Sequence, residues 1–311
     1  VYNYKAGVDG VIVDPIDANL ARQDPKDYLD GLQAAGRGAI REAKANVQGF
    51  RAEQIIGIGV DTTGSTPMPV DAKGVPLGLD PQFAGNPNAM AWLWKDHTSY
   101  EEAQAITAGA SKTRPHFLAK CGGAYSSEWF WSKIWHCLKV DPQVFDAAYT
   151  WVELADIIPG ILTDTLAPDR LKRGVCAAGH KGMFNADWSG YPDKEFLISL
   201  EPRLGRIRES LPDVAYTSGE RAGLLSQEWA DKIGLRPGIA VSVGAFDAHM
   251  GAVGAGVKEG TLVKIIGTST CDVAVASKAT GLPDVPGVCG IVDGSVLPHH
   301  FGLEAGQSAV G

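Results

Sequence analysis

Two short apolar segments, far apart in the chain, constrain the fold most strongly. Residues 55–60 (IIGIGV) and 239–245 (IAVSVGA) are too short for typical helices and are rich in β-branched side chains, which is typical of strands buried on both faces of a sheet. The first segment leads directly into Asp61, and the second leads through Phe246 into Asp247. The sequence therefore predicts an α/β fold with a mixed sheet, whose ligands bind at the carboxyl ends of strands.

The rest of the chain divides into predicted helices and a hairpin. Asp24 followed by Pro25 is a typical helix start, and apolar residues then recur at helical spacing. Further helices are predicted at residues 98–109, 125–138 and 150–162. Residues 261–276 alternate as a β-hairpin with a polar tip. We place a domain boundary just before this hairpin, which divides the chain into residues 1–257 and 258–311.

Composition excludes several classes of partner. The 311 residues carry a net charge of -8 without a basic tract or basic helix, which argues against a nucleic acid or an anionic membrane as the main partner. No apolar run approaches the length of a membrane span. The five cysteines are widely spaced and include no CxxC pair, so we interpret them as reduced thiols of a cytoplasmic protein.

Asp247 is the first candidate for chemistry. It follows a predicted buried strand and opens a helix, a position where ligands of open α/β sheets bind. A carboxylate there is suited to accept a hydroxyl proton during phosphoryl transfer. The structural alternative is helix capping, because Asp is among the preferred N-cap residues. Position alone favours the capping role.

Further candidates come from a Gly-rich tip and from polar residues near apolar ones. The tip at residues 267–270 (GTST) offers backbone N–H groups and hydroxyls to phosphate, or forms an ordinary turn. Neither the dinucleotide G-x-G-x-x-G spacing nor a P-loop is present in the chain. Glu304 lies in an apolar, Gly-rich setting suited to binding hydroxyls, and the adjacent His299 and His300 lack the spacing typical of metal ligands.

Aromatic and polar residues are interspersed in two short segments of the sequence. Four of the eight tryptophans lie in residues 92–97 (WLWKDH) and 125–131 (YSSEWFW). Sugar sites combine stacking faces with directional hydrogen bonds, and these runs have both kinds of residue. The same pattern suits a packed helix interface equally well. On aromatic content alone, the core interpretation is favoured.

Eight segments in order make the chain resemble a known family. They are residues 57–67 (GIGVDTTGSTP), 86–90 (NPNAM), 93–98 (LWKDHT), 125–131 (YSSEWFW), 178–181 (AGHK), 244–251 (GAFDAHMG), 266–271 (IGTSTC) and 302–308 (GLEAGQS). Together they are similar to the bacterial L-ribulokinases of the FGGY carbohydrate kinase family. The WKDH and GHK runs separate these kinases from glycerol and xylulose kinases.

The resemblance implies a fold and a reaction. The fold is the ribonuclease H-like fold of the actin and hexokinase superfamily, with a sugar-binding domain followed by the beginning of a nucleotide-binding domain. The implied substrates are L-ribulose and MgATP, and the resemblance is compatible with a homodimer. Asp247 becomes the general base that takes the proton of the C5 hydroxyl as that oxygen attacks the γ-phosphate.

The resemblance also assigns binding roles. Lys181 matches a position that offers donors to sugar oxygens, and Glu304 matches one that accepts from sugar hydroxyls. Asp96 and Met68, at the end of the loop of residues 62–68, are weaker candidates for sugar binding. The second phosphate-binding hairpin of the superfamily is matched by Gly267, Thr268, Ser269 and Thr270.

Two family segments are absent from the 311 residues. They are the first phosphate hairpin, an Asp-Phe-Gly-[Ser/Thr] motif whose Asp helps to place Mg²⁺, and the adenine-binding Gly-Gly segment. We therefore expect the chain as written to be the sugar-binding part of a kinase, with little or no ATP turnover of its own. The alternatives are a kinase for another ketopentose or a pentitol, and a noncatalytic sugar-binding module.

Overall fold

The computed structural model describes residues 1–267 and 269–307. The strands are β1 (Ile12–Val13), β2 (Ala21–Gln23), β3 (Gly57–Ile58), β4 (Asp61–Thr62), β5 (Pro67–Val70), β6 (Ala91–Trp92), β7 (Thr150–Glu153), β8 (Arg221–Leu224), β9 (Ala240–Ser242), β10 (Ala245–Phe246), β11 (Leu262–Ile266), β12 (Thr270–Ser277), β13 (Gly290–Asp293) and β14 (His300–Gln307). The helices are α1 (Pro25–Asn46), α2 (Tyr100–Thr113), α3 (Pro115–Ala119), α4 (Phe130–Val140), α5 (Pro142–Ala147), α6 (Leu154–Thr163), α7 (Val175–Gly182), α8 (Lys194–Leu200), α9 (Leu204–Glu209), α10 (Gln227–Ile233) and α11 (Asp247–Gly254).

Helix α1 begins where the sequence predicts. The Asp24 side chain accepts a hydrogen bond from the Lys26 backbone N–H, and Pro25 occupies the first turn, where its missing N–H leaves no partner unsatisfied. Tyr28 buries its ring in a core cluster that also contains Val241 of β9. The capped helix start is confirmed, and α1 packs chiefly against α10.

Parallel pairing joins the two predicted strand segments. Strand β9 pairs in parallel with β3, and β10 pairs in parallel with β4. The strand predicted at residues 239–245 is confirmed as β9 and β10, with Val241 and Val243 at 0% and 1% exposure. The prediction that residues 55–60 are buried on both faces is wrong, because β3 lies at the edge of its sheet and Ile56 is 79% exposed.

The predicted β-hairpin at residues 261–276 is confirmed. Strands β11 and β12 pair antiparallel from the Leu262–Ala274 pair to the Ile266–Thr270 pair, and β12 continues into a four-stranded sheet in the order β11-β12-β14-β13. Helix α11 packs against β11 and β12, and α7 packs against β13. This arrangement brings β14, which carries Glu304, close to both helices.

The aromatic runs form a core beside the sheets. Trp92, Trp131 and Trp151 are fully buried, which confirms that most of the aromatic content is structural. The helices predicted at residues 98–109 and 125–138 correspond to α2 and α4. The helix predicted at 150–162 begins only at Leu154, because the preceding β-branched and aromatic residues form β7, which pairs with β5.

The helices of the described part of the chain include none that is both long and apolar enough to cross a membrane. All five cysteines are free thiols. They are Cys121, Cys137, Cys176, Cys271 and Cys289.

Candidate active site

Asp247 lies at the carboxyl end of a parallel strand pair. In this pair Ala245 of β10 is opposite Asp61, the first residue of β4, and Asp247 directly follows β10. The capping role favoured for Asp247 is wrong, because the N-cap of α11 is Phe246 and Asp247 is the first helical residue. Its Oδ1 accepts a 2.7 Å hydrogen bond from the Ala248 backbone N–H, and the residue is exposed.

The surroundings of Asp247 favour its role as a proton acceptor. Partial burial of the carboxyl raises the pKa of Asp247 above its ordinary value, and the negative charge of Asp61 adds to this effect. The hydrogen bond from Ala248 acts in the opposite direction. A carboxylate with a raised pKa is a stronger base while it is still ionised at neutral pH.

Lys181 and Glu304, both predicted to bind the sugar, form an ion pair with each other. Lys181 lies on α7 and Glu304 on β14, and the Lys181 Nζ lies 2.5 Å from Glu304 Oε1. Burial by itself would raise the pKa of Glu304, but the charge of Lys181 outweighs it and holds that pKa well below its ordinary value. The Trp129 and Phe246 rings flank the ammonium, with their centroids 5.6 Å from Nζ. The pair is a buried, charged group beside aromatic faces.

Two histidines extend this ion pair. His249 Nε2 lies 3.0 Å from Glu304 Oε2, while its Nδ1 lies 2.9 Å from the Cys176 sulfur. His180 Nδ1 lies 3.7 Å from the same Glu304 oxygen, and its Nε2 lies 2.9 Å from the Ser295 hydroxyl. Burial, together with nearby His249, lowers the pKa of His180 well below its ordinary value.

Sequence reasoning did not assign roles to these histidines. Both stand inside segments that carried the resemblance, His180 beside Lys181 and His249 two residues after Asp247. Their proximity to the proposed site residues was therefore a usable signal. No spacing in the sequence indicates that Cys176 contacts His249, because 73 positions separate them.

Asp96 occupies a different environment. Its carboxylate is 0% exposed, accepts hydrogen bonds from the Ala21 backbone N–H at 2.8 Å and the Thr98 hydroxyl at 2.6 Å, and forms an ion pair with Arg22. The geometry is that of an ion-paired core residue. A role for Asp96 in sugar binding stays a prediction.

Met68 lies on β5, where it is 0% exposed within the apolar core. The loop before it is anchored by two buried charged residues. Lys133 Nζ donates to the Ser65 carbonyl at 2.7 Å, and Glu153 Oε2 accepts from the Thr66 backbone N–H at 2.8 Å. These contacts hold the loop in place from α4 and β7, although a sugar-binding role for Met68 stays a prediction.

The proposed phosphate hairpin connects β11 to β12. The Gly267 backbone N–H donates to the Ser269 carbonyl at 2.8 Å. Thr270 is 2% exposed, and its hydroxyl has no hydrogen-bond partner among residues 1–267 and 269–307. Thr268 lies outside the described residues. An unpartnered buried hydroxyl at this tip is compatible with a phosphate ligand and leaves that role a prediction.

Comparison with known proteins identifies the family. The model of the N-terminal domain of the FGGY family of carbohydrate kinases matches residues 12–254. The chain belongs to the FGGY family. The ribulokinase of Vibrio parahaemolyticus is 47% identical over 100% of the chain and 54% of its own length. The ribulokinase of Shouchella clausii is 40% identical over 95% of the chain and 51% of its own length.

Solved structures of FGGY relatives have the same fold. The xylulose kinase of Rhodospirillum rubrum superposes with a TM-score of 0.72 at 18% identity, over 95% of the chain and 54% of its own length. Plasmodium falciparum glycerol kinase with ADP gives a TM-score of 0.68 at 16% identity, over 95% of the chain and 54% of its own length. The predicted actin and hexokinase fold is confirmed. The chain spans about half the length of the relatives it matches.

Proposed function

We propose that the protein is an ATP-dependent kinase that phosphorylates L-ribulose at the C5 hydroxyl. The observation that carries this proposal is the convergence of Lys181, Glu304 and Asp247 on one region, since these residues come from three distant segments of the sequence. The Lys181–Glu304 ion pair is linked through His249 to the first turn of α11, where Asp247 lies. The two ribulokinases compared above support the choice of sugar.

In the proposed reaction, each residue of the site has one task. Lys181 donates to sugar oxygens, and Glu304 accepts from sugar hydroxyls, so that the sugar is oriented between a cation and an anion. Asp247, with its pKa raised by partial burial, accepts the proton of the attacking hydroxyl. The terminal phosphoryl group of ATP then moves to the sugar oxygen, and ADP is released.

The hairpin provides the proposed nucleotide contact. Gly267, Ser269 and Thr270 lie where β11 turns into β12, and the buried Thr270 hydroxyl offers one unused donor to a phosphate oxygen. We propose that this hairpin opens a second domain at residue 258, which is consistent with the family match ending at residue 254. The free thiols are consistent with the cytoplasmic location proposed for this protein.

The decisive experiment replaces Asp247 in the protein together with any flanking segments that its gene encodes. Asp247→Asn keeps the shape of the side chain and removes the base, so we expect kcat to fall by about 10²- to 10⁴-fold with little change in sugar affinity. Asp231→Asn, at an exposed carboxylate on α10, is the control and should retain full activity. Unchanged turnover in Asp247→Asn would exclude Asp247 as the base, whereas the absence of sugar-dependent ADP release in the unmodified protein would favour the noncatalytic module.

A substrate panel tests the choice of sugar. Release of ADP is measured with L-ribulose, its epimeric ketopentoses and ribitol at equal concentration. We expect the largest kcat/KM with L-ribulose. A larger value with another ketopentose or with ribitol would keep the kinase reaction and replace its substrate.

A further inference from the structure

Three potential metal ligands from three separate elements converge beside the ion pair. His180 on α7, His249 on α11 and Glu304 on β14 each offer one ligand atom, and these atoms all lie within 4.8 Å of one another. The two histidines are 1% and 0% exposed, and Glu304 is 8% exposed. Burial matters here because polar atoms in the interior need partners that water cannot supply.

The hydrogen bonds of His180 leave one nitrogen with a free lone pair. The Ser295 hydroxyl donates its proton to the Val292 carbonyl at 3.1 Å, so it accepts at 2.9 Å from the N–H at His180 Nε2. His180 Nδ1 is then an acceptor, and it has no hydrogen-bond partner among the described residues. It faces Glu304 Oε2 at 3.7 Å, which is also an acceptor. His249 Nε2 lies within hydrogen-bond distance of the same oxygen, at 3.0 Å, so a metal ion that binds there displaces the proton between His249 and Glu304.

His249 is the third potential metal ligand. Its Nε2 lies 3.0 Å from the same Glu304 oxygen, and its Nδ1 contacts the Cys176 sulfur at 2.9 Å. Histidines that bind metals almost always have the other ring nitrogen hydrogen-bonded, which fixes the orientation of the ring. Both histidines already have such a partner, Ser295 for His180 and Cys176 for His249.

We propose that His180 Nδ1, His249 Nε2 and Glu304 Oε2 bind a divalent metal ion of the zinc class. Metal–ligand bonds of about 2.0–2.2 Å in a tetrahedral site place ligand atoms roughly 3.3–3.6 Å apart. The distances of 3.0 Å and 3.7 Å to Glu304 Oε2 lie on either side of this range. Because the separations in the group extend to within 4.8 Å, metal binding must draw the side chains together by up to about 1 Å. Two imidazoles and one carboxylate suit Zn²⁺ and leave a fourth position for water.

Lys181 determines the consequence of metal binding. Its ammonium holds the other oxygen of Glu304 at 2.5 Å, so its positive charge weakens the metal site. The metal and the sugar both require Glu304, which makes the ion an inhibitor that competes with the sugar. This competition rests on the proposed function, whereas the metal site itself does not.

The first test measures zinc affinity in the 311-residue chain without an affinity tag, by competition with a chromophoric chelator. We expect His180→Asn to weaken zinc binding at least about tenfold, because even loss of a hydrogen-bond partner of a ligand costs about 10- to 100-fold. The matched control is His136→Asn. His136 Nδ1 lies 3.1 Å from Glu102, whose other oxygen contacts Lys139 at 2.7 Å. Equal zinc affinity in His180→Asn and the unmodified chain overturns the proposal.

The second test needs no substitution and so does not depend on a variant that folds. Co²⁺ is titrated into the unmodified chain, and its absorption spectrum is recorded. Imidazole and carboxylate ligands should give visible bands of four-coordinate Co²⁺ without a thiolate charge-transfer band in the near ultraviolet. A strong thiolate band would place the ion on the cysteines and overturn the assignment of ligands.

A third measurement separates this inference from the proposed function. Zinc affinity is measured again in the presence of L-ribulose. Weaker zinc binding with the sugar supports a shared Glu304. Zinc binding that depends on His180 but is insensitive to the sugar supports the metal site and contradicts the sugar site. Sugar-dependent kinase activity without zinc binding supports the sugar site and contradicts the metal site.

Discussion

Two buried ion pairs of this protein are alike in composition and differ in what surrounds them. Arg22 pairs with Asp96, and Lys181 pairs with Glu304. All four residues are at most 8% exposed. In the first pair the carboxylate receives backbone and hydroxyl donors as well as the cation, and Arg22 Nε lacks a hydrogen-bond partner among the described residues. Beside the second pair, it is the neighbouring His180 Nδ1 that lacks such a partner in the described part of the chain.

The Arg22–Asp96 pair ties separate parts of the core together. Asp96 accepts from Ala21 and Thr98, and the Arg22 guanidinium stacks 3.4 Å from the centroid of the Trp92 ring. Every oxygen of the Asp96 carboxylate already has a partner within the protein. Arg22 lies on β2, which pairs with β6.

The Lys181–Glu304 pair lies near an exposed carboxylate and unused polar atoms. Asp247 is exposed two residues before His249, which contacts Glu304 at 3.0 Å. The difference teaches that burial and charge alone do not identify a functional pair. Unused hydrogen-bonding capacity next to an accessible group is the feature that indicates ligand binding.

The largest expected effect comes from breaking the Arg22–Asp96 pair. Arg22→Met leaves the Asp96 carboxylate buried without its cation, so we expect the free energy of unfolding to fall by about 3–5 kcal/mol. Urea unfolding measures this loss in the free energy of unfolding. Arg114→Met opens the more exposed pair with Asp193 and should cost much less. A similar loss in both variants would contradict the distinction between the pairs.

The second prediction concerns ligand binding at the other pair. Lys181→Met should weaken sugar binding by about 10- to 100-fold, since a hydrogen bond to a charged group contributes about 1.5–3 kcal/mol. Its effect on stability should be smaller than that of Arg22→Met, because Glu304 keeps its contact with His249. Calorimetric titration with L-ribulose and urea unfolding measure the two effects. Sugar affinity equal to that of the unmodified protein would exclude Lys181 from the site.

A third buried carboxylate, Asp156, allows the comparison to be extended to the pH dependence of stability. Asp156 accepts from the Gly174 backbone N–H at 2.7 Å, and burial raises its pKa from 3.8 to about 6. The folded state therefore holds the proton more tightly than the unfolded state. Its contribution to stability is complete below pH 4 and is lost as the pH rises through about 6.

The variant Asp156→Asn tests whether this carboxyl lowers stability as the pH rises. The amide oxygen can still accept from Gly174, and no proton is lost, so we expect the variant to be more stable than the parent at pH 7 by on the order of 2 kcal/mol. The difference should disappear near pH 4. Unfolding of both proteins between pH 4 and pH 7 measures this difference in stability. A variant that is less stable than the parent at pH 7 would contradict a raised pKa for Asp156.

The smallest effect on stability is expected at the hairpin. Thr270→Val removes a buried hydroxyl that has no partner in the described part of the chain, so stability should change by less than about 1 kcal/mol. If this hydroxyl binds phosphate, the KM for MgATP rises. Thr261→Val is the control, because the Thr261 hydroxyl bonds the Lys258 backbone and its loss should affect stability alone. An unchanged KM in Thr270→Val excludes the phosphate contact.

Local patterns predicted much of the fold. The start of α1, the strand at residues 239–245 and the hairpin at residues 261–276 follow from capping, β-branched runs and alternation. The predictions failed where burial depends on distant neighbours. Ile56 is exposed just before the edge strand β3, and residues 150–153 form β7 because β5 lies beside them.

For the candidate site, the sequence by itself determined which segments carry Asp247, Lys181 and Glu304, since ordered runs and their family resemblance are properties of the chain. Only the tertiary structure decided that His249 bridges towards Glu304 and that His180 has an unused nitrogen. The reason is physical. Hydrogen-bond satisfaction depends on which atoms fold to within about 3 Å of each other, and residues on α7, α11 and β14 come that close only after the sheet and helices pack.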